Sequence, residues 1–308
     1  MSDRVLVPWP EIIGLVGDVT GTGLRIEVFG GDEPGPEDLK DVVFFTVPYD
    51  QPHGMEPLGR MPNLRVVQAL TAGYEHLVDR VPPGTTLCNA RGLHDSSTAE
   101  MALALLLAAE RELPRWVRNQ EAGRWEHAHT RSLAGSRVLI VGYGSIGAAL
   151  DRRLTACEAE VTRVARSPRP AEDVHAVEEL DALLPAADAV VLVTPLTEQT
   201  RGLLDTRRLA LLPDGALVVN VGRGPVLDTA ALLAETSAGR LRAALDVTDP
   251  EPLPADHPLW SSPGVLISPH VGGGATAFYP AARQFVAGQI RRFVSGEPLE
   301  NVVVAGQR

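Results

Sequence analysis

The chain has 308 residues, of which 44% are hydrophobic and 22% are charged, and its formal net charge is −11. These values are ordinary for a globular protein of about two domains and exclude a fibrous repeat or a wholly disordered chain. The negative charge disfavours DNA, RNA and acidic membrane surfaces as partners. The longest apolar run, residues 101–109, is shorter than the ~20 residues of a membrane span, so we interpret it as a buried helix.

The cysteines and the N-terminal residues bear on the cellular compartment of the protein. Cys88 and Cys157 lie far apart and outside any Cys-x-x-Cys motif, so they predict neither a disulfide framework nor a zinc ribbon. The first seven residues lack the apolar core of a signal peptide. We therefore expect free thiols and a cytoplasmic protein. His127 and His129 have no supporting ligand in the sequence and predict a polar loop, so we expect no metal site.

The first hundred residues contain short β-branched runs separated by Gly and Pro. These runs predict strands at 25–29, 42–47, 65–68 and 85–88. Ser97 and Glu100 have the spacing of a capping box, and the residues after them are apolar on nearly all faces. The sequence therefore predicts a buried helix over residues 98–112.

From residue 137 the pattern changes to apolar strands alternating with helices. Strands are predicted at 138–141, 160–164, 189–193, 216–220, 243–247 and 265–267, and helices at 146–156 and 276–296. This alternation is typical of a parallel sheet covered on both faces. We predict an α/β protein in which residues 1–98 and 277–308 form one domain and residues 99–276 form the other. The tail, residues 299–304, is expected to pack on the first domain.

A glycine-rich loop lies between the strand at 138–141 and the helix after it. Residues 142–147 read Gly-Tyr-Gly-Ser-Ile-Gly. The first glycine allows a tight turn, the second lets backbone approach a pyrophosphate, and the third lets the helix pack on the strand. The pyrophosphate would lie at the helix N-terminus, which favours anions. The residues that we expect to contact a dinucleotide here are Gly142, Tyr143, Gly144, Ser145, Ile146 and Gly147.

The end of the next strand bears on the choice of cofactor. Ala165 stands where NAD-binding domains usually carry an acidic residue for the adenosine ribose, and Arg166 and Ser167 follow it. No carboxylate is then present to repel a 2′-phosphate, and Arg166 and Arg169 can pair with one. The sequence therefore favours NADP. NAD remains the alternative, with Arg166 stacked on the adenine or solvated.

Three polar residues follow predicted strands, where open α/β sheets bind ligands. They are Arg223, Glu251 and His270. An arginine can hold a 2-keto carboxylate through paired N–H donors, and a histidine can protonate the carbonyl oxygen as hydride reaches the carbon. A nearby glutamate stabilises the protonated imidazole. Singly, each has a simpler interpretation as a surface or loop residue, but their joint placement predicts an active site.

These motifs together resemble those of the D-isomer-specific 2-hydroxyacid dehydrogenase family, which includes glyoxylate/hydroxypyruvate reductases and phosphoglycerate dehydrogenase. The segments that carry the resemblance are 71–75, 142–147, 194–197, 220–224, 246–252, 256–260 and 268–273. The resemblance implies a Rossmann-type dinucleotide-binding domain inserted in a flavodoxin-like substrate domain. It implies Arg223 as the substrate-binding residue, Glu251 as the partner acid and His270 as the acid/base. Met101 departs from the family, many of whose members have histidine there.

The resemblance also implies further contacts. Backbone amides of Ala72, Gly73 and Tyr74 would bind the substrate carboxylate, and Asp246 would lie near the nicotinamide carboxamide. The residues implied to line the cofactor elsewhere are Thr194, Pro195, Val221, Gly222, Asp246, His270 and Gly272. A homodimer is implied as well.

The sequence thus predicts an NADPH-preferring reductase of a small 2-keto acid, with glyoxylate and hydroxypyruvate as the leading substrates. Two alternatives stay open. One is a dinucleotide-binding sensor with little catalysis, similar to the corepressors of the family. The other is a dehydrogenase for an unusual substrate, such as phosphite or an aryl keto acid.

Overall fold

A computed structural model describes residues 2–18 and 20–306 of the chain. The chain divides into two compact units, Met1–His94 with Thr276–Arg308, and Asp95–Ala275. The boundaries therefore fall four residues and one residue earlier than the sequence predicts, after residues 94 and 275 instead of 98 and 276. The first difference arises because a helix of the second unit already begins at Asp95.

The described residues form the following elements. The strands are β1 (Asp3–Val7), β2 (Leu24–Val28), β3 (Val42–Thr46), β4 (Val66–Gln68), β5 (Thr86–Cys88), β6 (Arg137–Val141), β7 (Glu160–Ala165), β8 (Val174–Ala176), β9 (Ala189–Leu192), β10 (Leu217–Asn220), β11 (Arg242–Leu245), β12 (Val265–Ile267) and β13 (Val302–Val304). The α-helices are α1 (Glu11–Val16), α2 (Glu75–Val78), α3 (Asp95–Glu110), α4 (Leu113–Glu121), α5 (Ser145–Ala156), α6 (Leu180–Leu183), α7 (Thr206–Leu209), α8 (Thr229–Ser237) and α9 (Phe278–Ser295). Short 3-10 helices lie at Glu56–Arg60, Pro170–Glu172, Val177–Glu179, Leu184–Ala186, Gly224–Val226 and Pro258–Ser261.

The first unit is built on a sheet with the strand order β13-β5-β4-β3-β1-β2. The five strands β1 to β5 are parallel and have the flavodoxin-like order, and β13 pairs antiparallel with β5 at one edge. Successive strand residues point to opposite faces, so that Val5 packs in the core with α1 and α9 while Leu6 packs in the core on the other face. The C-terminal strand β13 therefore belongs to the sheet of the first unit.

The second unit contains a parallel sheet with the order β12-β11-β10-β9-β6-β7-β8. Starting from β8, this is the doubly wound order of a Rossmann domain with one strand added. Both faces of the sheet are buried: Val138 and Ile140 of β6 pack with α3 and α5, and Leu139 and Val141 pack with α6 and α8. This two-sided burial explains the continuous apolar strands and confirms the predicted fold class.

Some predicted element boundaries are wrong. α3 begins at Asp95 and ends at Glu110, so Ser97 and Thr98 are buried inside the helix and Ser97 is not its N-cap. α9 ends at Ser295 because Gly296 adopts a left-handed φ of 71°, a common helix stop. In the described residues, no helix combines the length and the apolar character needed to cross a membrane.

Candidate active site

Three neighbouring strands of the second unit end beside the polar residues that the sequence singles out. Arg223 follows β10, Glu251 follows β11 and His270 follows β12. The three strands are adjacent and parallel, so their carboxyl ends lie at the same edge of the sheet. This edge is where open α/β sheets bind ligands.

His270 and Glu251 form a pair. Nδ1 of His270 is hydrogen-bonded to Oε1 of Glu251, and the two side chains are 44% and 40% exposed. Because Nδ1 is engaged, Nε2 is the ring nitrogen available to exchange a proton with a ligand. The carboxylate orients the imidazole through this hydrogen bond, so the pair has the geometry that general acid–base chemistry needs.

The Arg223 loop is shaped by a residue that sequence reasoning missed. Asn220, fully buried at the end of β10, accepts a hydrogen bond from the Gly222 amide (3.1 Å) and donates one to the Arg223 carbonyl (3.0 Å). Arg223 itself donates through one Nη to the Gly222 carbonyl (2.8 Å). Its other guanidinium donors have no partner among the described residues, and they remain available for a carboxylate. An asparagine directly after an apolar strand is the signal that sequence reasoning overlooked.

The loops after β10 and β11 are in close contact. A Cβ added to Gly224 would lie 1.8 Å from the Thr248 carbonyl oxygen, in the segment that leads to Glu251. Only glycine permits this approach of two backbones. The close contact therefore links the position of Arg223 to that of Glu251.

Asp246, the residue directly after β11, is bound to the segment that carries His270. Asp246 is only 2% exposed, and its carboxylate accepts hydrogen bonds from Ser268, Val271 and Gly272. The family resemblance implies a place for Asp246 near a nicotinamide carboxamide. Its oxygens are already engaged within the protein, which that prediction did not foresee.

The glycine loop has the backbone geometry that a pyrophosphate needs. Gly142 has a φ of 109°, and a Cβ there would lie 2.7 Å from the Val193 carbonyl carbon. A Cβ on Gly147 would lie 2.9 Å from the Gly142 oxygen, where α5 packs closely on β6. Gly144 is the N-cap of α5 and has open space around it, and the first-turn amides, from Ser145 through Ile146 to Gly147, have no intrahelical acceptors. This end of α5 can therefore bind an anion.

A buried hydroxyl without a partner lies next to this loop. Oγ1 of Thr194 is buried and has no hydrogen-bond partner among the residues that the structure describes. Thr194 and Pro195 follow β9. The Thr194 backbone lies against Gly142 on one side and against Gly222, the neighbour of Val221, on the other. A buried polar atom is normally satisfied, so this hydroxyl fits a bound dinucleotide as its partner.

The residues at the end of β7 differ in how far they are engaged. Ala165 is the last residue of the strand, and Arg166 and Ser167 are exposed in the bend that follows. Within the described residues Arg166 forms no ion pair or hydrogen bond. Arg169 is engaged, since it donates to the Tyr143 carbonyl (2.7 Å) and pairs with Glu172 (3.1 Å). Arg166 is therefore the freer cation for a 2′-phosphate.

Tyr143 is fixed by a polar group that the sequence did not reveal. Its hydroxyl donates to the nearly buried Asp151 carboxylate (2.6 Å), which also accepts from Arg163 (2.8 Å). Burial, together with the hydrogen bond to Asp151, raises the pKa of Tyr143. Burial also raises the pKa of Asp151, but the hydrogen bonds from Arg163 and Tyr143 outweigh it and leave that pKa below its usual value. Tyr143 thus stays neutral and holds the loop in place.

The first unit contains the turn that the resemblance implies for a substrate carboxylate. Every backbone carbonyl from residue 69 to residue 73 accepts a hydrogen bond. Taken in the order of the carbonyls, the donors are Gln68 Nε2 (2.8 Å), His94 Nε2 (2.7 Å), the Ala90 amide (2.9 Å), Asn89 Nδ2 (2.7 Å) and Thr71 Oγ1 (2.6 Å). The amides of Ala72, Gly73 and Tyr74 have no acceptor among the described residues. Carbonyls that are engaged beside amides that are free make an anion-binding turn.

The histidines 127 and 129 show no metal-binding arrangement. Their rings meet edge to face at 5.7 Å. In the described part of the chain, no group of three or more His, Cys, Asp or Glu side chains is arranged to hold a metal ion.

The doubly wound sheet, the glycine loop and the acid–base pair at the strand ends define an NAD(P)-dependent dehydrogenase. Residues 103–272 match the family described as D-isomer specific 2-hydroxyacid dehydrogenase, NAD binding domain. The chain therefore belongs to the D-isomer-specific 2-hydroxyacid dehydrogenase family, and it is an oxidoreductase that acts on CH–OH groups.

Relatives in the family carry different names. Glyoxylate/hydroxypyruvate reductase B of Escherichia fergusonii is 35% identical over 227 residues, covering 70% of each chain. D-3-phosphoglycerate dehydrogenase of Methanocaldococcus jannaschii is 29% identical over 303 residues, which are 95% of this chain and 56% of that protein, so the chain spans about half of its length. The crystal structure of a D-isomer specific 2-hydroxyacid dehydrogenase from Xanthobacter autotrophicus Py2, in complex with NADPH and MES, is 33% identical and covers 98% of each chain with a TM-score of 0.81.

Proposed function

We propose that the protein reduces a small 2-keto acid to the 2-hydroxy acid, the D isomer where the product is chiral, with glyoxylate or hydroxypyruvate as substrate. The observation that carries the proposal is the pairing of His270 with Glu251 beside the carboxyl ends of the strands, where Arg223 also lies. One group can donate a proton, one can stabilise the charged donor and one can bind a carboxylate. The relative from Escherichia fergusonii that is named a glyoxylate/hydroxypyruvate reductase supports this choice of substrates.

Each residue has a defined task in this reaction. A nicotinamide cofactor held at the glycine loop, residues 142–147, would supply a hydride. Nε2 of His270 donates a proton to the carbonyl oxygen, which balances the hydride and completes the alcohol. Glu251 keeps the imidazole oriented through Nδ1 and stabilises its positive charge. Arg223 binds the carboxylate of the keto acid and polarises its carbonyl group.

NADPH is the proposed cofactor. β7 ends at Ala165, so the ribose position carries no carboxylate, and Arg166 is exposed and unpaired within the described residues. An arginine binds a phosphate through two parallel hydrogen bonds. The relative from Xanthobacter autotrophicus that was crystallised with NADPH supports the same choice.

We also propose that the protein is a cytoplasmic homodimer. On α4 Leu113 is 49% exposed and Val117 is 56% exposed, and Trp125, which follows the helix, is fully exposed. Large apolar side chains grouped on a surface favour association, and a second copy of the chain is the occupant that we propose. Both cysteines are free, which suits a reducing compartment.

Initial rates of NADPH and NADH oxidation test the proposal, measured with glyoxylate, hydroxypyruvate, pyruvate and phenylpyruvate. We expect turnover of glyoxylate and hydroxypyruvate with NADPH and its loss in His270→Ala. A matched control is His175→Ala, because His175 also pairs with a glutamate, Glu179 (2.9 Å), but lies on β8, at the opposite side of the sheet from β12.

The results separate the alternatives. Faster turnover with NADH would contradict the cofactor proposal and leave the proton donor standing. Preference for phenylpyruvate would indicate an aryl keto acid as substrate. Tight NADPH binding without turnover of any acid would favour the sensor.

A further inference from the structure

The segment that carries His270 is held on both sides by one buried carboxylate. Oδ1 of Asp246 accepts hydrogen bonds from Ser268 Oγ (2.6 Å) and from the Val271 amide (3.0 Å), and Oδ2 accepts one from the Gly272 amide (2.8 Å). The contacts lie before and after His270 in the chain. The Asp246 carbonyl also accepts the hydrogen bond of the His270 amide itself (2.8 Å).

His270 needs this support because its backbone is unusual. It has a φ of 52°, in the left-handed region that a residue with a side chain seldom adopts. Such a conformation persists only where the surroundings impose it. Gly272 makes the support possible, since a Cβ at that position would lie 2.7 Å from Oδ2 of Asp246.

We propose that Asp246 and Ser268 are positioning residues for the proton donor. This inference rests on the proposed function, in which His270 protonates the keto acid. Asp246 fixes the segment 268–272, and Ser268 fixes Asp246 through the shortest of the three hydrogen bonds to its carboxylate. The imidazole is thereby presented to the substrate while Nδ1 stays on Glu251.

The count of hydrogen bonds separates this role from cofactor binding. A carboxylate can accept about four hydrogen bonds, and three of those of Asp246 are used within the protein. The carboxylate can therefore accept at most about one further hydrogen bond from a ligand. The loss of Ser268 Oγ should therefore disturb the proton donor far more than the affinity for the cofactor.

The test compares three variants of the full chain. We expect Ser268→Ala to lower kcat about 10-fold, the effect of losing one hydrogen bond to a buried charged group, with the Kd for NADPH changed less than about 2-fold. Ser268→Thr keeps the hydroxyl and should restore kcat. Ser262→Ala is the control, because the Ser262 hydroxyl also makes a 2.7 Å hydrogen bond, to Thr236, but at the opposite end of β12.

Hydrogen exchange gives a readout that does not need activity. The amides of Val271 and Gly272 should exchange at least about 10-fold faster in Ser268→Ala than in the wild type or in Ser262→Ala, because the carboxylate that binds them is less constrained. Asp246→Asn is a second variant and should accelerate the same amides more strongly. Circular dichroism shows whether each variant is folded.

Each outcome decides between the possibilities. Faster exchange with no turnover in the wild type would refute the proposed function and retain the positioning of the segment. Unchanged amide exchange would overturn the inference, and so would a loss of kcat in Ser268→Ala no greater than that in Ser262→Ala. A change confined to the Kd for NADPH would also overturn it and make Asp246 a cofactor-binding residue.

Discussion

Substitution of Gly224 tests the close contact between the two loops that carry Arg223 and Glu251. A Cβ at residue 224 would lie 1.8 Å from the Thr248 carbonyl oxygen, whereas real Cβ atoms essentially never come within 3.0 Å of such an atom. The obstacle is backbone, and the Thr248 segment is held by hydrogen bonds from Thr248 Oγ1 to the Pro250 carbonyl (2.8 Å) and from Thr229 Oγ1 to the Asp249 carbonyl (2.9 Å). In Gly224→Ala the two loops must separate by at least about 1.2 Å.

A displacement of this size moves Arg223 away from Glu251 and His270. Misplacement of a catalytic group by ~1 Å costs about 100-fold, equivalent to about 2.7 kcal/mol of activation free energy. We expect Gly224→Ala to lower kcat/KM for the keto acid by at least about 100-fold, measured from initial rates of NADPH oxidation. The Kd for NADPH should change little, because the glycine loop and Arg166 are not part of this contact.

The control is Gly14→Ala, since Gly14 in α1 has no heavy atom within 4 Å of an added Cβ and needs no positive φ. Thermal unfolding of both variants separates global destabilisation from the local effect. Retention of the wild-type kcat/KM by Gly224→Ala would show that the contact between the two loops does not position Arg223.

Three further predictions concern single groups. Glu251→Gln keeps a hydrogen-bonding side chain but removes the charge that favours the protonated imidazole, so kcat for reduction should fall at least about 10-fold; an unchanged rate would contradict the role of the charge. Arg166→Ala should raise KM for NADPH about 10-fold and leave KM for NADH unchanged. Arg152→Ala, which removes another exposed arginine, is the control, and equal effects on both cofactors would argue against a 2′-phosphate contact. Burial raises the pKa of the Cys88 thiol to about 12, so iodoacetamide at pH 8 should not modify it until the protein unfolds; rapid labelling of Cys88 in the native protein, read by peptide mass spectrometry, would contradict its placement in β5.

The buried apolar strands made the fold of the second unit predictable. β6, β9 and β10 are buried on both faces, so their sequences are mostly Val, Leu and Ile, a pattern that needs no knowledge of tertiary contacts. β1 was not predicted although it is as long as β6 and similarly buried, and α1 was not predicted because a six-residue helix carries little pattern of its own. The capping box at Ser97 was wrong because packing buries that residue inside α3, which overrides local spacing.

The site was predictable in its residue types but not in its supporting contacts. Arg223, Glu251 and His270 could be chosen because each follows a strand with the chemistry that the reaction needs. Ser268 acts through a hydrogen bond to the Asp246 carboxylate and Asn89 through one to the Ala72 carbonyl; these contacts depend on how separate segments meet and leave no spacing in the sequence. The engagement of Arg169 with the Tyr143 carbonyl is of the same kind.

The most direct test of the account is the reduction of hydroxypyruvate by NADPH, followed both as NADPH oxidation and as the chirality of the glycerate formed. We predict D-glycerate as the product and loss of the reaction in His270→Ala, with His175→Ala unaffected. L-glycerate or a racemic product, or an undiminished rate in His270→Ala, would contradict it.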